Sequence, residues 1–291
     1  MMIKFILNAI AYYLNFSKKL YITEKAYKLF KLNKKIRPYA FIRVCNEIKT
    51  IDASLKSILP HVKGGVIGFN SCNDGSKEYI IEFCKKNPQF TPIEYPYDVF
   101  PAYHESYKND RLDYNKRLDT YYNYIWEKLP KNEWVIKIDA DHLWIDEYFE
   151  MLLSYPLRKK DIVILNRINL HCIDNTVYVN KNLPIYEPGD HWIIFNNKDY
   201  KFEFYRGWDD DKFRAFEYLP ISRKNIIYGV LANYHFPIIK NQRNNFKINE
   251  WIPICEFNIE EYIEENNMKD RIPKKLLDEE FILKSFRKFN I

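Results

Sequence analysis

Trp134-Val135-Ile136-Lys137-Ile138-Asp139-Ala140-Asp141-His142 is the stretch on which the reading of this chain turns. Its first five residues, apolar except for Lys137, read as a short buried strand, and two carboxylates spaced one residue apart follow it at once. Oxygen ligands in that pattern suit a hard divalent cation, Mg²⁺ or Mn²⁺. The plain alternative for an isolated Asp-x-Asp is a solvated loop or a helix-start cap. What lies upstream separates the two.

Working back from Asp139, short apolar runs alternate with stretches of helical spacing. Tyr39-Ala40-Phe41-Ile42-Arg43-Val44 reads as a strand, and Ile51, Leu55, Ile58, Leu59 and Val62 recur at a helical period. Val66-Ile67-Gly68-Phe69 is the next strand; the turn Asn73-Asp74-Gly75-Ser76 ends it, with Ser76 placed to cap a helix running to about Lys86. Residues 91–95 form a third strand, and Leu118, Tyr121, Tyr122, Ile125 and Leu129 mark another helix. Such alternation predicts an α/β fold, a Rossmann-like, mainly parallel sheet flanked by helices. Ligands in these sheets bind beyond the carboxyl ends of the strands. Here those ends carry Asn46 and Glu47, residues 70–74, and Asp139 with Asp141, so three strand ends converge on one crevice.

Working forward, residues 162–165 read as a further strand, and the pattern then loosens around Glu187-Pro188-Gly189-Asp190-His191-Trp192. Residues 241–291 look helical and strongly charged. The expected organisation is a basic amphipathic segment over 1–37, the α/β domain over 38–240 and a helical extension over 241–291.

Composition narrows the function classes. The chain has 291 residues, 47% hydrophobic and 29% charged, enough to bury a sizeable core. With 45 Lys and Arg against 39 Asp and Glu the net charge is +6, but the two signs are interleaved, which is no nucleic-acid footprint. No GxGxxG or GxxxxGK[ST] string occurs. Five cysteines without a CxxC pair fit free thiols in a reducing compartment. No run of about 18 to 20 apolar residues could span a bilayer. Residues 1–16 are nonetheless almost wholly apolar and a lysine-rich stretch follows; peripheral membrane contact and packing on the domain account for that pattern equally well.

The Asp-x-Asp after a strand resembles the signature of GT-A glycosyltransferases. Longer strings sharpen the likeness: Ala40-Phe41-Ile42-Arg43-Val44-Cys45-Asn46-Glu47, Gly65-Val66-Ile67-Gly68, Asn73-Asp74-Gly75-Ser76, Pro92-Ile93-Glu94-Tyr95-Pro96-Tyr97, Lys137-Ile138-Asp139-Ala140-Asp141-His142, Glu187-Pro188-Gly189-Asp190 and Asn233-Tyr234-His235-Phe236-Pro237. In this order, over about residues 38 to 260, the sequence resembles the Campylobacter-type β-1,4-N-acetylgalactosaminyltransferases of lipooligosaccharide synthesis. The resemblance implies that Asn46, Glu47, Asn70 and Asp74 hold uracil and ribose, that Asp139 contacts ribose or metal, and that Asp141 and His235 ligate the metal. His142 is read as supporting structure, and Arg43 as a structural ion pair.

An inverting transfer also needs a carboxylate to accept the acceptor's hydroxyl proton. Asp190 lies in a matched string. Asp209 and Asp210 follow Gly207-Trp208, could start a helix, and are similar to the acceptor-side acidic motif of animal β-1,4-galactosyltransferases. Both placements stand open.

The resemblance therefore implies a metal-dependent inverting enzyme that moves N-acetylgalactosamine or a related hexose from a UDP-sugar to a galactose-containing glycolipid or oligosaccharide, through a β-1,4 linkage. Nucleotide sugars being cytoplasmic, it would work in the cytoplasm or on the inner face of the membrane. The rivals are a non-catalytic glycan-binding or assembly protein of the same fold, and another nucleotide-sugar enzyme such as a nucleotidyltransferase. The latter would carry a glycine-rich phosphate loop, which is missing here.

Overall fold

The computed structural model describes residues 19–21, 23, 35–109, 111–155, 158–187, 189–209, 212–222, 224–239 and 248–289. In chain order the first elements are β1 (Lys19–Tyr21), β2 (Tyr39–Val44), α1 (Ile51–Ile58), β3 (Gly64–Phe69), α2 (Ser76–Lys86), β4 (Phe90–Glu94), α3 (Leu118–Trp126) and β5 (Trp134–Asp139). There follow β6 (His142–Trp144), α4 (Asp146–Leu153), β7 (Ile162–Ile164), β8 (Arg167–Ile173), β9 (Thr176–Asn180), β10 (Ile185–Tyr186) and β11 (Trp192–Phe195). The chain ends with β12 (Glu203–Asp209), β13 (Lys212–Tyr218), β14 (Ile226–Tyr228), β15 (Asn233–His235), β16 (Trp251–Pro253), α5 (Ile259–Glu265) and α6 (Glu279–Phe286).

The main sheet has the order β1-β14-β7-β11-β5-β2-β3-β4. Every neighbouring pair is parallel except those made by β11, which runs against both β5 and β7. The α/β, mainly parallel expectation is therefore met. Because β7 and β14 share the direction of β2, β3 and β5, all five end at the same edge. A strand buried on both faces can have no polar side, and β3, Gly-Gly-Val-Ile-Gly-Phe, is buried at every residue. Gly68 lets α3 approach: a Cβ there would fall 1.9 Å from Cδ1 of Ile125.

The core divides at the sheet. On one face Ala40, Ile42, Ile136, Ile138 and Val163 pack against α1, α2 and α4. On the other, Phe41, Tyr121, Tyr122, Trp126, Trp192 and Phe202 form an aromatic core under α3 and the β12–β13 hairpin. Phe41 meets Trp126 edge-on at 5.5 Å and Phe202 stacked at 5.6 Å, the offset geometries that rings prefer.

A second sheet, in the order β16-β9-β8-β15-β6, carries β10 on β8. It corrects the sequence reading in two places. The C-terminal part is not wholly helical, since β16 pairs with β9. Within 1–37, Lys19–Tyr21 is a strand pairing with β14; the membrane reading rests on residues 1–16, which lie outside the described residues. Two local expectations also change. Gly75, at φ 95°, is the N-cap of α2, and Ser76 sits inside the helix with its N–H bonded to Asp74 Oδ1 at 3.0 Å. Asp209 starts no helix, because β12 and β13 pair as a hairpin in which Asp209 lies opposite Lys212.

Candidate active site

β5 ends at Asp139, and Asp141 occupies the step into β6. Two registers bring histidines to this point. β15 runs against β6 with His235 opposite His142. β11 runs against β5 with Ile193 opposite Ile136, and continuing that register sets Asp190 and His191 beside Asp139 and Ile138. β8, parallel to β15, then places Asn169 beside His235.

The imidazole of His142 is central to the cluster. His191 stacks on it at 4.8 Å with planes 21° apart, and His235 lies on it at 4.7 Å. Oδ2 of Asp139 is 3.1 Å from His191 Nε2, and Oδ2 of Asp141 is 3.1 Å from His235 Nε2. The carboxylates thus fall into two trios that share His142: Asp139 with His142 and His191, and Asp141 with His142 and His235. The sequence reading had both aspartates gripping one ion together; instead each faces its own histidine.

The hydrogen bonds fix the protonation of His235. Asn169 Nδ2 donates to the Leu183 carbonyl at 2.7 Å, so its Oδ1 is the atom presented to His235. His235 Nδ1–H donates to that oxygen at 2.6 Å. A neutral ring so held presents the lone pair of Nε2 to a carboxylate oxygen, two acceptors face to face, which a proton or a cation between them stabilises. His142 is only 1% exposed, yet neither of its ring nitrogens has a hydrogen-bond partner. Burial, with His235 and His191 adding to it, holds its pKa well below an ordinary imidazole's, so it stays neutral, as a ligand must. Burial alone would raise the Asp139 carboxyl, but Lys137, His191 and Arg43 outweigh it and hold the group well below the usual carboxylate range. Buried orphan nitrogens beside ionised carboxylates fit a divalent cation, and imidazole ligands favour Mn²⁺ over Mg²⁺.

Asp190 joins the same cluster. Arg167 Nη1 donates to His191 Nδ1 at 2.7 Å and to Asp190 Oδ1 at 3.1 Å. Partial desolvation would raise the Asp190 carboxyl; His191, Lys137 and Arg167 instead hold it well below the usual range. Asp209 stands apart at the end of the hairpin strand, 66% exposed, with Arg214 Nε 3.7 Å from its carboxylate. Asp210 lies outside the described residues.

The four residues expected to hold uridine surround the joint between the loops after β2 and β3. Asp74 accepts the N–H of Ser76 on one oxygen and that of Ile48 on the other, at 3.0 and 3.1 Å. Asn46 Oδ1 accepts the Asn73 N–H at 2.8 Å, and Ser76 Oγ accepts the Glu47 N–H at 2.8 Å. Asp74 and Asn46 thereby lock the two loops together, while Glu47 and Asn70 are buried at 6% and 3% exposure. Sequence reasoning missed His191, Arg167 and Asn169 and undervalued His142. A usable signal existed: of six histidines in the chain, three sit in or beside the matched strings.

A mainly parallel sheet whose carboxyl edge carries an Asp-x-Asp pair fits the glycosyltransferase class. Comparison with known families makes the assignment: the chain belongs to the β-1,4-N-acetylgalactosaminyltransferase (CgtA) family, whose sequence model matches residues 17–290. It is therefore a glycosyltransferase, and the family resemblance drawn from the motifs holds over nearly the whole chain. Among solved structures it is similar to the mannosyltransferase PcManGT from Pyrobaculum calidifontis in complex with GDP-Man and Mn²⁺, at 14% identity and a TM-score of 0.31. That likeness covers 48% of this chain and 41% of that one, less than half the length of either. No curated protein matches the sequence. Among the described residues no helix is long and apolar enough to cross a membrane.

Proposed function

We propose that the protein transfers N-acetylgalactosamine, or a related hexose, from a UDP-sugar to a galactose-containing surface glycan with inversion, forming a β-1,4 linkage with the help of a divalent cation. The family supports the sugar and the linkage. The observation that carries the metal dependence is the buried, unpartnered His142 between two carboxylate–histidine pairs. Asp139, Asp141, His142, His191 and His235 would hold the ion, Mn²⁺ by preference. Bound there, it would supply positive charge to the departing diphosphate.

The chain's own residues do the remainder. The loops after β2 and β3, stapled by Asp74 and Asn46, form the uridine wall, with Glu47 and Asn70 at its base. Asp190 is assigned the proton-accepting role over Asp209 because it belongs to the cluster at the strand ends. Its depressed pKa keeps it ionised, and a weak base suffices, because the acceptor hydroxyl becomes strongly acidic as its oxygen bonds to the anomeric carbon. With a nucleotide sugar as donor, the enzyme would act at the cytoplasmic face on a glycolipid or oligosaccharide acceptor.

The test is UDP release from a panel of UDP-sugars with Mn²⁺, with and without a chelator. Release from UDP-N-acetylgalactosamine that the chelator abolishes is expected. Release indifferent to the chelator contradicts the metal assignment, and no release from any donor favours a glycan-binding protein without turnover.

A further inference from the structure

One cavity lies on the hairpin side of the sheet, between β13 and the strands β7 and β14, and has a volume of about 560 Å³. It is lined by Glu187, Gly189, Phe216, Tyr218, Ser222 and Tyr228, among others. Gly189 immediately precedes Asp190, so the cavity adjoins the carboxylate assigned to accept the proton. At φ 81° Gly189 is in the left-handed region, and this tight turn places Glu187 in the cavity wall and Asp190 in the cluster.

The chemistry of the lining is amphipathic. Phe216, Tyr218 and Tyr228 supply ring faces. Glu187 supplies a carboxylate that Arg271 grips through both guanidinium nitrogens, with the Nη2 contact at 3.3 Å. Arg271 is itself held 5.5 Å from the Tyr228 ring and 5.1 Å from the Tyr21 ring. Glu187 is thus fixed in direction, and each of its oxygens keeps a second lone pair for a ligand hydroxyl. Ser222 adds a hydroxyl. A hexose has the matching structure, an apolar C–H face against rings and a rim of hydroxyls against a carboxylate, and such volumes suit ligands of one or two sugar rings. Among the described residues the one charged lining group, Glu187, is neutralised by Arg271, so the site favours an uncharged ring over an acidic sugar.

Resting on the transferase reading above, we propose that this cavity seats the acceptor's terminal sugar, an uncharged hexose. Tyr218 and Tyr228 form its stacking wall, Glu187 receives its hydroxyls, and Arg271 of the C-terminal part positions Glu187. The experiment is equilibrium binding of lactose, a neutral β-galactoside, followed by saturation-transfer NMR on the full chain, with Mn²⁺–UDP affinity measured separately. Tyr218→Ala and the cavity-filling Ser222→Phe should each weaken lactose binding about tenfold or more, as loss of a stacking contact implies. Mn²⁺–UDP affinity should stay within about twofold. Lactose binding unchanged in both folded variants, or absent in the wild type, overturns the assignment. Loss of Mn²⁺–UDP binding in the wild type with lactose binding retained counts instead against the transferase reading and leaves the cavity assigned.

Discussion

His235 gives its Nδ1 proton to Asn169 at 2.6 Å and turns Nε2 toward Oδ2 of Asp141 at 3.1 Å, so one side chain links a neutral amide to an acidic group of the Asp-x-Asp. Groups that orient a ligating imidazole this way typically govern metal affinity about 10- to 100-fold. Asn169→Ala should weaken Mn²⁺ binding by about that factor, and His235→Ala by more, in titrations followed by electron paramagnetic resonance. Unchanged affinity in both would mean that this pair serves structure alone.

Asp190 and Asp209 were equally placed by sequence, and the fold separates them. Asp190→Asn should lower kcat by about 10² to 10⁴ while Mn²⁺–UDP affinity stays near wild type, whereas Asp209→Asn should stay within a few-fold. Loss of turnover in Asp209→Asn with Asp190→Asn active would reverse the assignment.

Much of this architecture is legible in the sequence and some is not. The strands β2, β3 and β5 announce themselves as apolar runs ended by polar residues, because a strand covered on both faces leaves no choice. The Asp209 error has a physical origin: Gly207-Trp208-Asp209 offers the polar start of a helix, but Lys212-Phe213-Arg214-Ala215-Phe216 alternates as a half-buried strand does, and the hairpin prevails. His142 and His191 could not be found by periodicity, since what unites them is the pairing of β6 with β15 and of β5 with β11. Such long-range registers leave no local trace in the chain.

The Arg271–Glu187 pair is buried, with side chains 5% and 11% exposed. Removing one partner of such a pair strands the other charge and typically costs about 3 to 5 kcal/mol. Arg271→Met should lose stability on that scale in chemical denaturation, and the double variant Arg271→Met/Glu187→Gln should recover most of it. Equal losses in single and double variants would show that the arginine acts through its packing on Tyr21 and Tyr228.

Asp52, in the first turn of α1, gives the clearest acid-side signature. Burial would raise its pKa, but hydrogen bonds from Lys56 at 2.8 Å and Tyr79 at 2.6 Å lower it below the ordinary carboxylate value. A folded-state pKa below the unfolded one contributes stability that is present above about pH 4 and is lost as pH falls through the folded value. Asp52→Asn should therefore be less stable than wild type at pH 7, by under about 1 kcal/mol for so accessible a pair, and the difference should vanish near pH 2. A difference constant across that window would remove the carboxylate as its cause.

Whether an ion occupies the histidine cluster can be seen directly. Anomalous diffraction from crystals grown with Mn²⁺ and UDP should show a peak about 2 Å from nitrogens or oxygens of one of the two trios, Asp139–His142–His191 or Asp141–His142–His235. A peak bound elsewhere, or none despite bound UDP, would contradict the account.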